Sequence, residues 1–536
     1  MLLATLALFQ GLDLTDLLPE APHQTRLEAF AALTAEPDER YIAPLLDLLS
    51  LAETAEEWYR ILDALSAITG EPQRDTDRPW RTNSLRLADT PDRELPPNYL
   101  AFKRELYATQ LSPEFRRFLN EAQAPIPHLD EVVFGGVAPG DIPALDHPEA
   151  VPAAESALPD HAPVLGIAVG GEARAYPNRI LDWHELANDT LGGQSFALTW
   201  CTLCGAAIAY DITPTFVTAV APIATPEPLT FDTSGLLFRS NKLMFDSATD
   251  SLWNQLTGEA FSGPMAKRGA RLTMLPVVHT TFGRWRAEHP DTTVVSSGTG
   301  HDRDYTEGAA YGDYFASTET MFPTPRLGQQ FAPKERIVVL QIDQRRQAIS
   351  LDALEPEGVL HFELSGQRIA LFRLDLPTES RLPLPWREAL EAVHGDASFP
   401  TPDSLRQAAT QLGSEAPPLT EEDLRSLPRA TRRAVLTGDL TEIPLADGAR
   451  AAAAVAHLLA DVRAVEAPNH TFHSTEDPNL WADETGSTWR WTSSGLTSTA
   501  EEGPTLPQRP THLAYGFAAD ASAWHKQLDQ TVESLR

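Results

Sequence analysis

Val164-Leu165-Gly166-Ile167-Ala168-Val169, then Gly170-Gly171, then Ala173-Arg174-Ala175-Tyr176, reads as two short strands split by a glycine pair. Ser195 to Trp200 and Gly205 to Asp211 continue the strand pattern, and Ile180 to Asp189 between them has helical spacing. The stretch decides the fold because it recurs. Residues 164–198 and 337–371 align without a gap and share Ala175/Ala348, Leu181/Leu354, Gly193/Gly366, Gln194/Gln367, Ala197/Ala370 and Leu198/Leu371. Further on, Thr249-Asp250-Ser251-Leu252-Trp253 recurs as Thr485-Gly486-Ser487-Thr488-Trp489, and Gly263-Pro264 as Gly503-Pro504. A duplicated block is its own control: features in both copies are expected to serve the fold, and features in one copy to serve chemistry.

Only the first copy carries cysteines. Cys201 and Cys204 are the two in the chain, in Trp200-Cys201-Thr202-Leu203-Cys204-Gly205. In the register of the repeat, Cys201 faces Leu374, Cys204 faces Pro377 and His184 faces Glu357, so three reactive groups are lost together. A bond between such close cysteines closes a tiny loop, which makes them reactive or ligating groups rather than architectural staples.

Three readings of the pair stay open. A tetrahedral ion needs two more ligands, which here must be imidazole or carboxylate. His184, in Asp182-Trp183-His184-Glu185, is the best candidate, with one of Asp189, Asp246 or His301 completing a mixed set for zinc or copper. A redox dithiol is the second reading. Against it, dithiol motifs usually open a helix, and Ala206 to Tyr210 alternates like a strand. The third is a pair of small, inert, buried thiols. Asn188, Asp189, Asn241, Asp246, Arg303 and Tyr305 are expected to contact substrate or to orient the reacting groups. His279 and His289 read as surface or helix-end residues. Trp253 and Ser251 read as structural, because their partners Trp489 and Ser487 persist without cysteines.

Elsewhere composition mainly excludes. The chain has 536 residues and a formal net charge of −33, so phosphate backbones and anionic membranes would be repelled. Lysine occurs only at 103, 242, 267, 334 and 526. No P-loop, no dinucleotide glycine fingerprint, no nucleophile elbow and no His-Glu-x-x-His occurs, so no nucleotide cofactor is expected. No apolar run reaches 18 residues, which predicts a soluble chain without a membrane span. Met1 to Phe9 is apolar, lacks a preceding basic residue, and reads as a helix rather than a secretory signal.

Four stretches follow: a helical cap over 1–72 with spacing like HEAT hairpins, a connecting arm over 73–160, a first β-rich lobe over 161–330, and a second over 331–536. A helical insertion interrupts the second lobe between about 380 and 463, with strand character returning at Thr471. The predicted class is α+β, with the two lobes packed as a pseudo-symmetric pair.

Several motifs resemble one bacterial and archaeal family. Phe134-Gly135-Gly136, Ile142-Pro143-Ala144-Leu145-Asp146, Glu172 to Pro177, Ile180 to Glu185, Asn188-Asp189, Cys201 to Gly205, Ser234-Gly235-Leu236, Ser240-Asn241, the Trp253 motif, His289-Pro290-Asp291-Thr292, Arg303-Asp304-Tyr305 and Pro333-Lys334-Glu335-Arg336 together resemble Domain of Unknown Function 3179. The resemblance covers roughly residues 95–340. The family pattern usually reads Tyr-Cys-Pro-Leu-Cys-Gly, whereas this chain has Trp200 and Thr202, so the proline of a metal knuckle is missing. The resemblance implies no established reaction. The expected function is a metal- or thiol-dependent catalyst around Cys201, Cys204 and His184. The alternative is a binding or assembly module whose Cys/His cluster is structural.

Overall fold

A computed structural model describes residues 12–522 and 532–535, apart from 75–77, 89–92, 217–227, 325–329, 343–344, 355–357, 375–381, 396, 398–399, 448, 459, 476, 478, 493 and 502. The helix expected over Met1 to Phe9 lies outside the described residues. Helices and several separate sheets are mixed along the chain, and the N-terminal part is helical. Contacts divide the chain into two compact units: residues 1–143, 214–272 and 322–327, and residues 144–213, 273–321 and 328–536. This grouping cuts across the four stretches drawn along the sequence, because 214–272 joins the N-terminal helices.

In the first unit, helices His23–Ala35, Ile42–Leu51, Ala55–Thr69 and Tyr99–Gln110 fall where the apolar spacing is helical, and a further helix, Pro79–Ala88, lies in the stretch read as a polar arm. Ala55–Thr69 shows why. The Thr54 side chain accepts from the Glu57 N–H, left-handed Gly70 ends the helix, and Ile61, Leu62, Leu65 and Ile68 are buried between these stops. One core unites these helices with Leu236, Phe238, Leu243 and Phe245 of an antiparallel sheet ordered Val132–Phe134, Phe231–Phe238, Asn241–Asp246, Leu252–Asn254. Through this core runs a buried polar knot. Lys103 donates to Asp47 at 3.0 Å and to the Leu129 carbonyl at 3.1 Å, and the hydroxyls of Tyr99 and Tyr107 donate to the same carboxylate at 2.6 and 3.2 Å.

In the second unit, Pro163–Val169 and Glu172–Pro177 form a hairpin flanked by Val278–Thr281, in a five-stranded sheet. Leu186–Leu191, Gln194–Cys201 and Ala206–Phe216 run antiparallel in another sheet. Arg336–Ile342 pairs with Arg345–Ser350 and is flanked by Thr511–Tyr515, while Val359–Leu364 pairs with Gln367–Arg373. The registers coincide at a constant offset of 173 positions. Val164↔Pro177 becomes Ile337↔Ser350, and Leu186↔Thr199 becomes Val359↔Phe372. The Trp turns agree as well: Trp253 Nε1 donates to Asp246 at 2.9 Å and Trp489 Nε1 to Asp483 at 3.0 Å, each carboxylate also accepting from a threonine N–H.

Two local expectations need correction. The helix begun at Asn178 stops at His184, because Glu185 turns left-handed at φ 56°, and Leu186–Leu191 is a strand. Asn188 and Asp189 therefore stand on a strand and not on the helix of His184. The five helices between Leu384 and Leu458 fill the expected insertion, but the strand returns earlier, at Val462–Glu466, where Val462, Ala464 and Val465 are buried against Gln367–Arg373.

Breaking a buried ion pair strands a charge, so Asp47→Leu or Lys103→Met alone should each cost the first unit about 3–5 kcal/mol. The double substitution should cost clearly less than their sum, as read by urea unfolding followed by tryptophan fluorescence. Additive losses would contradict the knot.

Candidate functional site

All of the following side chains belong to the second unit. Cys201 ends its strand, and the Cys204 N–H returns to the Cys201 carbonyl at 3.1 Å, so both thiols ride on one tight turn. Neither is in a disulfide, and both are buried. Gly205 must be glycine: its φ is +56°, and a Cβ there would lie 2.6 Å from Nη1 of Arg336.

Three successive carbonyls of this turn are tied down. Tyr314 Oη donates to Leu203 O at 2.7 Å, the Tyr515 N–H to Cys204 O at 2.7 Å, and Arg336 Nη1 to Gly205 O at 2.9 Å. Lys334 donates to the Tyr314 carbonyl, and its ammonium lies 3.8 Å from the Tyr314 ring centroid and 4.9 Å from that of Tyr515. Burial and the neighbouring Arg336 charge push the Lys334 amine down to about 7.

Beneath the turn lies a group of acids. Asp182 is 2% exposed. One of its oxygens accepts from Trp200 Nε1 at 2.8 Å, and the other is buried without a hydrogen-bond partner. Burial drives its carboxyl well above the ordinary range, the Trp200 bond opposes this, and the charges of Glu307 and Glu185 add to it. Thr202 Oγ1 donates to Glu185 at 3.2 Å. Burial, followed by the Glu185 charge, raises the Tyr311 phenol, which also feels Asp182 and Cys201.

His184 is fully buried, and its Nε2 meets the Tyr305 hydroxyl at 2.6 Å, which in turn meets Thr299 Oγ1 at 2.6 Å. The His301 ring centroid is 5.1 Å from that of His184. Trp183 Nε1 donates to the Asp304 carbonyl at 2.6 Å, and the Arg303 guanidinium stacks 5.4 Å from the Trp183 ring, which fixes this loop on the helix Asn178–His184.

Thus Tyr305 meets His184, and Arg303 lies over the neighbouring Trp183. Asn188 instead donates to Asp146 at 2.7 Å, and Asp189 accepts from Arg174 at 2.5 Å and from the Tyr176 hydroxyl at 2.6 Å. Asn241, hydrogen-bonded to Gln255 at 2.9 Å, and Asp246, capping the Trp253 turn, lie in the first unit. Among the described residues, no three His, Cys, Asp or Glu side chains form a group that could hold a metal ion. His279 is a buried strand residue, which meets Asn178 at 3.2 Å and stands edge-on to Trp200, whereas His289 does stand at a helix end, after Phe282–Glu288, though buried; burial lowers the two imidazoles to about 3 and about 4.

Residues 139–382 match the family model described as protein of unknown function (DUF3179). This is the family that the motifs resemble. No curated protein and no solved structure matches the chain. The matched DUF3179 segment holds the Cys turn, Asp182, the His184 cluster, Tyr314, Lys334 and Arg336; Tyr515 comes from beyond it. No described helix is long and apolar enough to cross a membrane. Sequence reasoning gave no role to Asp182, Tyr311, Lys334 or Arg336. The signals available were two buried-looking motifs, Asp182-Trp183-His184 and Lys334-Glu335-Arg336, and the scarcity of lysine.

Between pH 7 and the ordinary lysine value of 10.5 the unfolded chain holds a proton that folded Lys334 has shed. Stability from this group therefore rises with pH across that window and is least at its lower end. Raising the pH from 7 to 9.5 should raise the Tm of the parent relative to Lys334→Met. Parallel Tm profiles would contradict the assignment.

Proposed function

We propose that the DUF3179 segment is a thiol-dependent catalyst in which Cys201 and Cys204 are the reacting pair and Asp182 and Tyr311 are buried proton donors. The observation that carries this reading is the turn itself, which holds both cysteines within four residues, while Trp200, the residue before Cys201, donates to a buried Asp182 carboxyl that burial drives upward. The imidazole expected to complete a sulfur-bound zinc or copper has its Nε2 on Tyr305 instead, which favours thiol chemistry over a site made of Cys201, Cys204 and His184. Closing a Cys201–Cys204 disulfide would release two protons and pass two electrons to an external acceptor such as a substrate disulfide.

We also infer that 164–198 and 337–371 descend from one duplicated block, in which the second copy kept the hairpins and lost the chemistry. The shared register and the two Asp–Trp turns support this.

One observation favours the structural alternative: three consecutive carbonyls of the turn are anchored, as suits a joint between β-rich blocks. Diamide oxidation read by intact mass, with thermal melts of Cys201→Ser and Cys204→Ser, decides between them. The catalytic reading expects a loss of two hydrogens that dithiothreitol restores, and serine variants whose Tm stays within a few degrees of the parent. Thiols that remain inert in the folded chain, with serine variants that melt far lower, would overturn it in favour of the joint.

A further inference from the structure

We infer that His184, His301 and Tyr305 form a binding site for a zinc-class divalent transition ion, separate from the sulfur pair. The two imidazole centroids are 5.1 Å apart with planes inclined by 54°. Metal–nitrogen bonds of about 2.0–2.1 Å place two imidazoles on one tetrahedral ion with centroids roughly 5 Å apart. The third ligand is a phenol oxygen. Tyr305 Oη already lies 2.6 Å from His184 Nε2, and two ligands sharing a tetrahedral ion stand about 3.3 Å apart, so a small opening admits the metal.

The surroundings are organised for this purpose. Thr299 Oγ1 holds both the Tyr305 hydroxyl, at 2.6 Å, and the His301 N–H, at 3.3 Å, which fixes the loop ligands relative to each other. The Trp183–Asp304 bond fastens that loop to the helix carrying His184. His184 is buried and His301 is exposed, so an ion has an entry side and an inner ligand. On binding, the Tyr305 hydroxyl gives its proton to solvent and the phenolate oxygen takes the metal. Three protein ligands leave a fourth position for water, the arrangement of zinc sites that do chemistry.

Cobalt(II) chloride is the probe, because it does not oxidise thiols, its visible bands report tetrahedral geometry, and a cysteine ligand would add sulfur-to-metal charge transfer. The full chain, stripped with chelator and reduced, should take up one cobalt without a sulfur band and release it to zinc. His301→Ala, on the exposed side, and Tyr305→Phe should each weaken binding at least tenfold, and Cys201→Ser should leave it unchanged. Three outcomes overturn the site: no cobalt retained, retention indifferent to His301→Ala, or a sulfur band lost in Cys201→Ser. None of them alters the diamide result, so the thiol reading stands or falls on its own.

Discussion

The Arg336 guanidinium pressed against Gly205 is the contact on which the rest of the site depends. A residue with a Cβ at 205 would strain a left-handed backbone and push that guanidinium aside, so glycine is favoured at this contact. Arg336 also donates to the Leu458 carbonyl at 2.9 Å, which links the Cys turn to the end of the inserted helices. One side chain thereby fixes the turn, the second block and the insertion relative to one another.

Around this joint the protein buries groups that would rather be in water. Burial pushes the Lys334 amine and the His279 imidazole down and the Asp182 carboxyl up, each because desolvation outweighs the favourable contacts available. Such groups destabilise a fold unless the scaffold around them is stiff. The stiffness comes from paired hairpins of matching register and from aromatic packing of Tyr314 and Tyr515 about the lysine. By contrast, the Asp47–Lys103 knot in the first unit satisfies its charges, as architecture requires and reactivity does not.

What could be read from residues alone follows from range. Hairpins such as Val164 to Tyr176 were legible because alternation and glycine pairs are local. The Cys turn was legible as a turn because two cysteines spaced by two residues and followed by a glycine form a local pattern. The placement of Asn188 and Asp189 was not, since a helical apolar pattern ran on past Glu185, and only the left-handed turn there switches the period from helix to strand. The role of Arg336 was out of reach for another reason: its partners, Gly205 and Leu458, are more than 120 residues away on either side, and no local pattern encodes such a meeting.

The central claim, that Arg336 keeps the buried Cys turn closed, is tested most directly by the rate of thiol labelling in the native chain, which has only two cysteines. Labelling with a chromogenic disulfide should be slow in the parent and at least tenfold faster in Arg336→Met and Gly205→Ala, with circular dichroism of both variants matching the parent. Unchanged rates in folded variants would contradict the account.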